Sequence, residues 1–363
     1  MKILDRYISM TVLGGVLITL LIFVALVSFI TLLGQLADLD SKYGLLQALQ
    51  YVVLTMPRRA YELFPTIVLI GGLFALGTLA GHHELIVIRA AGVSINRITW
   101  AVMKAGAVLT VFAFGLGEVV APYAEQRAQI LRSSAKEGHI PLKSKFGFWV
   151  RDKNNFIRIG RVIDQYNLQD ILVNSFDKNQ KLVWVVEAKL ARYRDGKWIL
   201  YQVVQSTIGN ERVTINPPQS VGGKINTTPS EVWERLIEPA LLSVVAVAPE
   251  VLSAWALRQF SEHMVDNHLD ATRYELAFWI KLVTPVSTLV MLLIAIPFVF
   301  NTVRTTPMGQ RLLFGVLVGI GFFLLNRGLN QVGLVYGIPP LLSAAFPSVL
   351  FALVAWWALR RCY

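Results

Sequence analysis

Cysteine is all but missing: Cys362 is the single one in 363 residues. That excludes an intrachain disulfide and any cysteine-built metal cluster. Charge is scarce too, since Asp, Glu, Lys and Arg make up 16% of the chain, where soluble domains carry about a quarter. No GxxxxGK[ST] loop occurs; the nearest string, Gly222-Gly223-Lys224, lacks the first glycine and follows two prolines, which argues against P-loop binding of ATP. Neither HExxH nor GxSxG appears. The five histidines, His82, His83, His139, His263 and His268, never show metal-ligand spacing. Adjacent His82 and His83 would point about 100° apart on a helix, which reads as a solvated surface pair. What the chain has in abundance is apolar residues, at 55%. This is the composition of a membrane protein.

A helix needs about 20 apolar residues to cross a bilayer, because hydrocarbon leaves no partner for a free backbone group. Segments of this kind run roughly over Ile8 to Leu36, Leu63 to Ala80, Ile98 to Ala121, Leu282 to Phe300, Leu312 to Asn330 and Pro340 to Leu359. The first is about twice as long as a signal-peptide core and shows no small-residue cleavage site, so it reads as a retained anchor. The expected fold class is therefore an α-helical bundle of six transmembrane helices with an inserted all-β domain. The expected division is 1–124 for the first three helices, with a cytoplasmic helix at 83–92, then 125–269 for the insert with flanking helices, and 270–363 for the last three helices.

Lys plus Arg is 34 against 23 for Asp plus Glu, a formal charge of +11. Its placement speaks for a membrane and not for nucleic acid. With the N-terminus inside, the cytoplasmic flanks hold Lys2, Arg6, Arg89, Arg97, Lys104, Arg304, Arg311, Arg360 and Arg361, whereas the short outer loops hold Lys42, Arg58 and Arg59. Cationic flanks resist translocation, so both termini are expected in the cytoplasm, with the insert on the outer face. Trp100, Trp279, Trp356 and Trp357 fall at span ends, where an amphipathic ring prefers the headgroup region.

The insert, about Glu125 to Asp270, reads as strands in its middle. Phe146, Phe148 and Val150 alternate, as do Leu182, Trp184 and Val186, and Ile199, Tyr201 and Val203. Turn chemistry at Asp152 to Asn155, Asp177 to Gln180 and Arg194 to Lys197 predicts an antiparallel meander or sandwich, with helices near Glu125 to Lys136 and Pro249 to His268. One inward face per strand fits either a closed core or an open groove for a lipid.

Position-specific polarity supplies the candidate sites. The segment from His82 to Gly92 is helical in length, amphipathic and closed by a glycine cap. Glu84 opens it, either as a favourable charge on the helix dipole or as an ion-pair contact for a partner. At the opposite membrane face gather Arg58, Arg59, Glu62, Glu118, Lys281, Asn326 and Arg327, continued by Arg127 and Arg132. Polar groups at that depth face protein or a cavity. They fit internal pairing, for instance Glu62 or Glu118 with Arg327, or together an anionic headgroup. Pro285 and Pro297 are expected to kink the fourth span, while Gly71, Gly72, Gly77, Gly315 and Gly319 let helices approach closely.

Several strings then carry a resemblance: Asp5-Arg6-Tyr7-Ile8, Gly77-Thr78-Leu79-Ala80 through Glu84-Leu85, Arg89-Ala90-Ala91-Gly92, Gly117-Glu118 to Ala121-Pro122, Thr306-Pro307-Met308-Gly309 and Val335-Tyr336-Gly337-Ile338-Pro339-Pro340. Across essentially the whole chain these resemble the LptF/LptG permeases of the lipopolysaccharide exporter of Gram-negative bacteria. The Tyr-Gly-Ile-Pro-Pro string favours the LptG branch. The resemblance implies a subunit that is not itself an enzyme. It pairs with LptF around a cavity above two copies of the ATPase LptB, which holds ATP and Mg, and is joined by LptC. Lipopolysaccharide would leave the outer leaflet of the inner membrane and pass to periplasmic jellyroll domains. On this resemblance Glu84, with His83 and Arg89, is the coupling contact to LptB, and Arg58 and Arg132 lie near lipid A phosphates, in company with Arg59, Arg127, Lys281 and Arg327. The stretch Gly34 to Asp40 departs from the family, which can carry lysines there. A non-transporting scaffold or sensor with a ligand-binding outer domain is the alternative reading, and an intramembrane lipid-modifying enzyme would need a nucleophile or metal cluster.

Overall fold

The computed structural model describes residues 2–37, 39, 43–136, 148–152, 155–164, 166–177, 181–194, 197–208, 213–216, 231–233, 249–266, 270–302 and 308–361. In chain order the helices are α1 (Lys2–Leu36), α2 (Leu45–Gly81), α3 (Glu84–Ala90) and α4 (Ile95–Gly115), then a π-turn over Leu116–Val120 and α5 (Ala121–Lys136). After the strands come a 3₁₀ turn (Pro249–Val251), α6 (Ala254–Asp266), α7 (Thr272–Thr302), α8 (Met308–Tyr336) and α9 (Pro340–Arg360). Among the described residues 6 helical runs are long and apolar enough to cross a membrane, as expected.

Three runs extend well past the expected boundaries, by about ten residues or more. The second helix begins at Leu45 and not near Leu63, so Arg58 and Arg59 sit inside α2 and not in an outer loop. Polarity ends a hydrocarbon-buried stretch without ending a helix, and Arg58 and Glu62 support this one as an i,i+4 ion pair of 2.8 Å. The third span runs on through α5, so the helix expected from Glu125 to Lys136 is its continuation. The fourth begins at Thr272 and stays helical through Pro285 and Pro297. The strings around His139, Gly222, His268, Thr306 and Cys362 lie outside the described residues.

The bundle is built around α2. Its most apolar window is 83% buried, against 17% in α1 and α8 and 28% in α9, so much of the outer helices faces away from this chain's own core. Ile8, Val12 and Val16 of α1, Phe64 and Leu76 of α2, Val102 of α4 and Leu292 and Ile296 of α7 meet in one core. Glycine makes the closest approach possible: a Cβ on Gly71 would lie 2.5 Å from the Val16 Cα, so α1 and α2 touch backbone to backbone. Gly315 and Gly319 likewise bring α8 against Leu73 and Thr66 of α2.

The insert holds β1 (Phe148–Asp152), β2 (Asn155–Asp164), β3 (Asn167–Phe176), β4 (Leu182–Arg194), β5 (Lys197–Ile208), β6 (Val213–Asn216) and β7 (Glu231–Trp233). They form one antiparallel sheet in meander order, with β7 also on β5. Cross-strand partners Ile157, Val173 and Val186 line up with Ile159, Ile171 and Ala188 on an inner face that is buried throughout. Among the described residues that face is packed as a hydrophobic core. On β5 the expected inward set of Ile199, Tyr201 and Val203 holds only for Val203; Trp198 and Leu200 are the buried pair. Gln202 sits at φ 56°, and Asp170 on β3 also at 56°, left-handed positions that reverse which face the next side chains take.

Candidate functional site

Polar chemistry concentrates at the two ends of the bundle. The end that carries both termini holds α3, a single short helix between spans two and three. His82 caps α2, and His83 turns the corner at φ 61°, so the two histidines straddle two helix ends and do not share one helix. Both are exposed. Gly92 at φ 86° closes α3 in a Schellman arrangement: the Gly92 N–H donates to the Arg89 carbonyl at 2.9 Å and the Val93 N–H to the Ile88 carbonyl at 3.3 Å. Leu85 is fully buried and fixes the helix to the bundle, while Ile86 and Val87 are 49% and 65% exposed beside the exposed Arg89. The segment thus presents two apolar side chains outward from a firmly capped helix.

Glu84 opens α3, and its carboxylate is already engaged. The Tyr7 hydroxyl donates to Oε2 at 2.8 Å, and His82 Nδ1 lies 3.7 Å from Oε1. Nearby, Asp5 pairs with Lys104 at 2.8 Å and Arg97 at 3.5 Å, and the Ser9 hydroxyl donates to the Ala101 carbonyl at 2.7 Å. The first turns of α1 are thus fastened to both α3 and α4. Sequence reasoning singled out Glu84 but not Tyr7, although the Asp5-Arg6-Tyr7 string was visible.

At the opposite end α2, the π-turn, α7 and α8 line an open cavity of about 360 Å³. Arg58, Glu62, Lys281, Asn326 and Arg327, expected at comparable depth, all line it, together with Tyr61 and Gly117. Arg58 is neutralised on both sides, by Glu62 and, at 3.2 Å, by the buried Glu125, which Gln129 holds at 2.8 Å. Arg327 lies over the Phe323 ring at 6.0 Å, so the expected pairing with Glu62 or Glu118 is not formed.

Glu118 has a different task. Its carboxylate accepts from the Ala254 and Trp255 N–H groups at 2.8 and 3.3 Å, while the Ser253 hydroxyl takes the Ala256 N–H at 3.2 Å. Together they satisfy the first turn of α6, whose donors have no partner inside the helix. A residue of span three therefore anchors the helix that follows the insert.

Lys281 is nearly fully buried, and its ammonium donates to the Gly117 carbonyl at 2.9 Å. The π-turn explains why that carbonyl is open. The Ala121 N–H, which an α-helix would direct to Gly117, reaches back to Leu116. Pro122 has no N–H to offer, and its ring would crowd an ordinary turn, which favours the wider one. Gly117 also has no room for a side chain, because the Tyr61 ring covers it, and the Tyr61 hydroxyl donates to the Lys281 carbonyl at 3.1 Å. Spans two, three and four meet at this node. The only warning in the sequence was a glycine followed at short range by proline within an apolar run.

The remaining candidates lie elsewhere. Arg59 sits at the α1–α2 seam with Ser28 and Met56. Arg127 is exposed with its guanidinium 4.3 Å over Tyr123, and Arg132 lies 5.2 Å over Tyr51, tying α5 to α2. Among the described residues no group of His, Cys, Asp and Glu is arranged to hold a metal ion.

Comparison with known proteins adds a separate line. The family model described as lipopolysaccharide export system permease LptF/LptG matches residues 6–361. The chain is 36% identical to the lipopolysaccharide export system permease protein LptG of Haemophilus influenzae over 362 residues, covering 99% of this chain and 98% of that one. It is 35% identical to LptG of Escherichia coli K12 over the same length and coverage.

Proposed function

The chain belongs to the LptF/LptG family of lipopolysaccharide export system permeases, and on that premise we propose that it converts a push on α3 into movement of lipopolysaccharide past the cavity at the far end. A lipid with several acyl chains is held in a bilayer by about 0.8 kcal/mol per buried CH₂, so extraction needs an outside source of work. With no nucleotide-binding loop in this chain, that work comes from a separate ATPase, LptB, which holds the ATP and Mg. Two LptB copies lie under this subunit and LptF, with LptC alongside, and the chain itself is not catalytic.

The observation that carries this reading is the surface of α3: Ile86, Val87 and Arg89 turned outward on a helix pinned by Leu85 and capped at Gly92. A contact that must transmit force needs exposed apolar area on a rigid mount. Orientation follows the charges, with Lys2, Arg6, Arg89, Arg97, Lys104, Arg360 and Arg361 at the cytoplasmic end and the sheet in the periplasm. At that periplasmic end Lys281 and Arg327 receive the phosphates of the lipid headgroup, beside Arg58, which Glu62 and Glu125 already pair. Arg127 and Arg132 lie further along α5 toward the insert, and Arg59 supports α2 from behind.

The test is Glu84→Lys in the reconstituted exporter. We expect a folded, inserted protein whose complex loses most of its ATP-dependent lipopolysaccharide release, because a cation replaces the acid at the contact. Unchanged release in proteoliposomes would remove Glu84 from the coupling role.

A further inference from the structure

We propose that Tyr7 is a positioning residue for the coupling contact: by holding the Glu84 carboxylate it yokes span one to α3, so that a displacement of α3 moves α1 as well as the spans joined to it by the chain. The inference rests on the reading of α3 as the motor contact.

Three observations lead to it. First, α3 is covalently continuous with α2 and α4 but 77 residues away from Tyr7, and the Tyr7–Glu84 hydrogen bond is the one that joins α1 to α3 among the described residues. Second, the bond is charge-assisted and short, at 2.8 Å, and it binds one oxygen of Glu84 only. The other oxygen has His82 at 3.7 Å and is left for a partner's cation, with the side chain 34% exposed. A carboxylate held in place through one oxygen meets a partner at lower entropic cost than one free to rotate. Third, the same end of α1 is bound to the far side of the corner through Asp5 with Lys104 and Arg97, and Ser9 with Ala101. The first turns of α1 therefore grip both flanks of the segment that ends at Gly92.

Further along, α1 is pressed on α2 at Gly15 and Gly71 without space for a side chain. A helix held so tightly there responds to a pull at its first turns as a stiff rod. Span one has most of its outer face uncovered by this chain, so it can shift together with α2 without other helices of this chain in its way on that face.

The experiment uses the full exporter complex in proteoliposomes and measures lipopolysaccharide released per ATP hydrolysed. Tyr7→Phe keeps the ring and removes the donor. We expect ATP hydrolysis and complex abundance near those of the unaltered complex, and a release ratio lowered about tenfold, the scale of one lost hydrogen bond to a charged group. Glu84→Gln, which keeps an acceptor for Tyr7, should lower the ratio less than Glu84→Ala. The double variant Tyr7→Phe/Glu84→Ala should be no worse than Glu84→Ala alone, as expected of two members of one contact. A purely structural role would lower abundance and leave the ratio alone. A normal ratio in Tyr7→Phe with a lost one in Glu84→Lys overturns the yoke and keeps the docking face. Normal ratios in both overturn the two together.

Discussion

The two ends of the bundle differ in how they hold the charged groups nearest the two candidate sites. At the terminal end the acids are tied across helices: Asp5 to Lys104 and Arg97, and Glu84 to the Tyr7 hydroxyl. At the insert end Arg58 and Arg273 are also matched by acids, but Lys281 rests on a neutral carbonyl and Arg327 on an aromatic ring. Matched charges fasten elements into a unit that can be pushed. Cations held by neutral partners keep their charge available, and phosphate competes well for an ammonium or guanidinium against a carbonyl or a ring.

Lys281→Met should break that contrast most strongly. It leaves the Gly117 carbonyl buried with neither the Ala121 N–H nor an ammonium, a loss of about 1–3 kcal/mol. It should also abolish the extra thermal stability that bisphosphorylated lipid A gives the detergent-solubilised complex, relative to monophosphoryl lipid A. If the melting point falls but the difference between the two lipids persists, Lys281 is a strut and not a ligand.

A smaller effect is expected from Glu118→Ala, which opens the first turn of α6 at a cost of about 1 kcal/mol. Faster amide exchange at Ala254 and Trp255, with headgroup binding unchanged, would keep Glu118 apart from the cavity cations. Loss of binding would merge the two.

The smallest concerns Asp270, whose carboxylate accepts from the Thr272 N–H at 2.9 Å and from its hydroxyl at 2.5 Å. Those two bonds hold its carboxyl below the ordinary carboxylate range. A depressed folded value means that the stabilisation is complete above about pH 4 and fades as the pH falls through the lowered folded value. Asp270→Ala should therefore cost up to about 1 kcal/mol at pH 7, with melting curves that converge with the unaltered protein's toward pH 3. A gap that persists in acid would assign the effect to packing.

How much of this could be read from the residues depends on the range of the physics involved. Apolar runs are local, so the six spans were legible, as was α3, whose acid at the start and Gly92 at the end are chain-adjacent signals. The start of α2 was not, because Arg58 and Arg59 interrupt hydrophobicity without interrupting helix. Alternation placed β4 correctly but misassigned Ile199 and Tyr201, since Gln202 takes a backbone conformation that no pattern of hydrophobicity announces. The gathering of Arg58, Lys281 and Arg327 at one depth followed from counting along spans. Their partners did not: Gly117 is 164 residues from Lys281, and Ala254 is 136 from Glu118. A carbonyl freed by a π-turn has no signature in side-chain type.

The account is tested most directly by one photocrosslinking measurement in intact cells, with the reactive residue placed either at Val87 or at Asn326. It predicts the ATPase subunit as the product from position 87 and lipopolysaccharide as the product from position 326. Lipid at 87, the ATPase at 326, or no adduct at either position would contradict it.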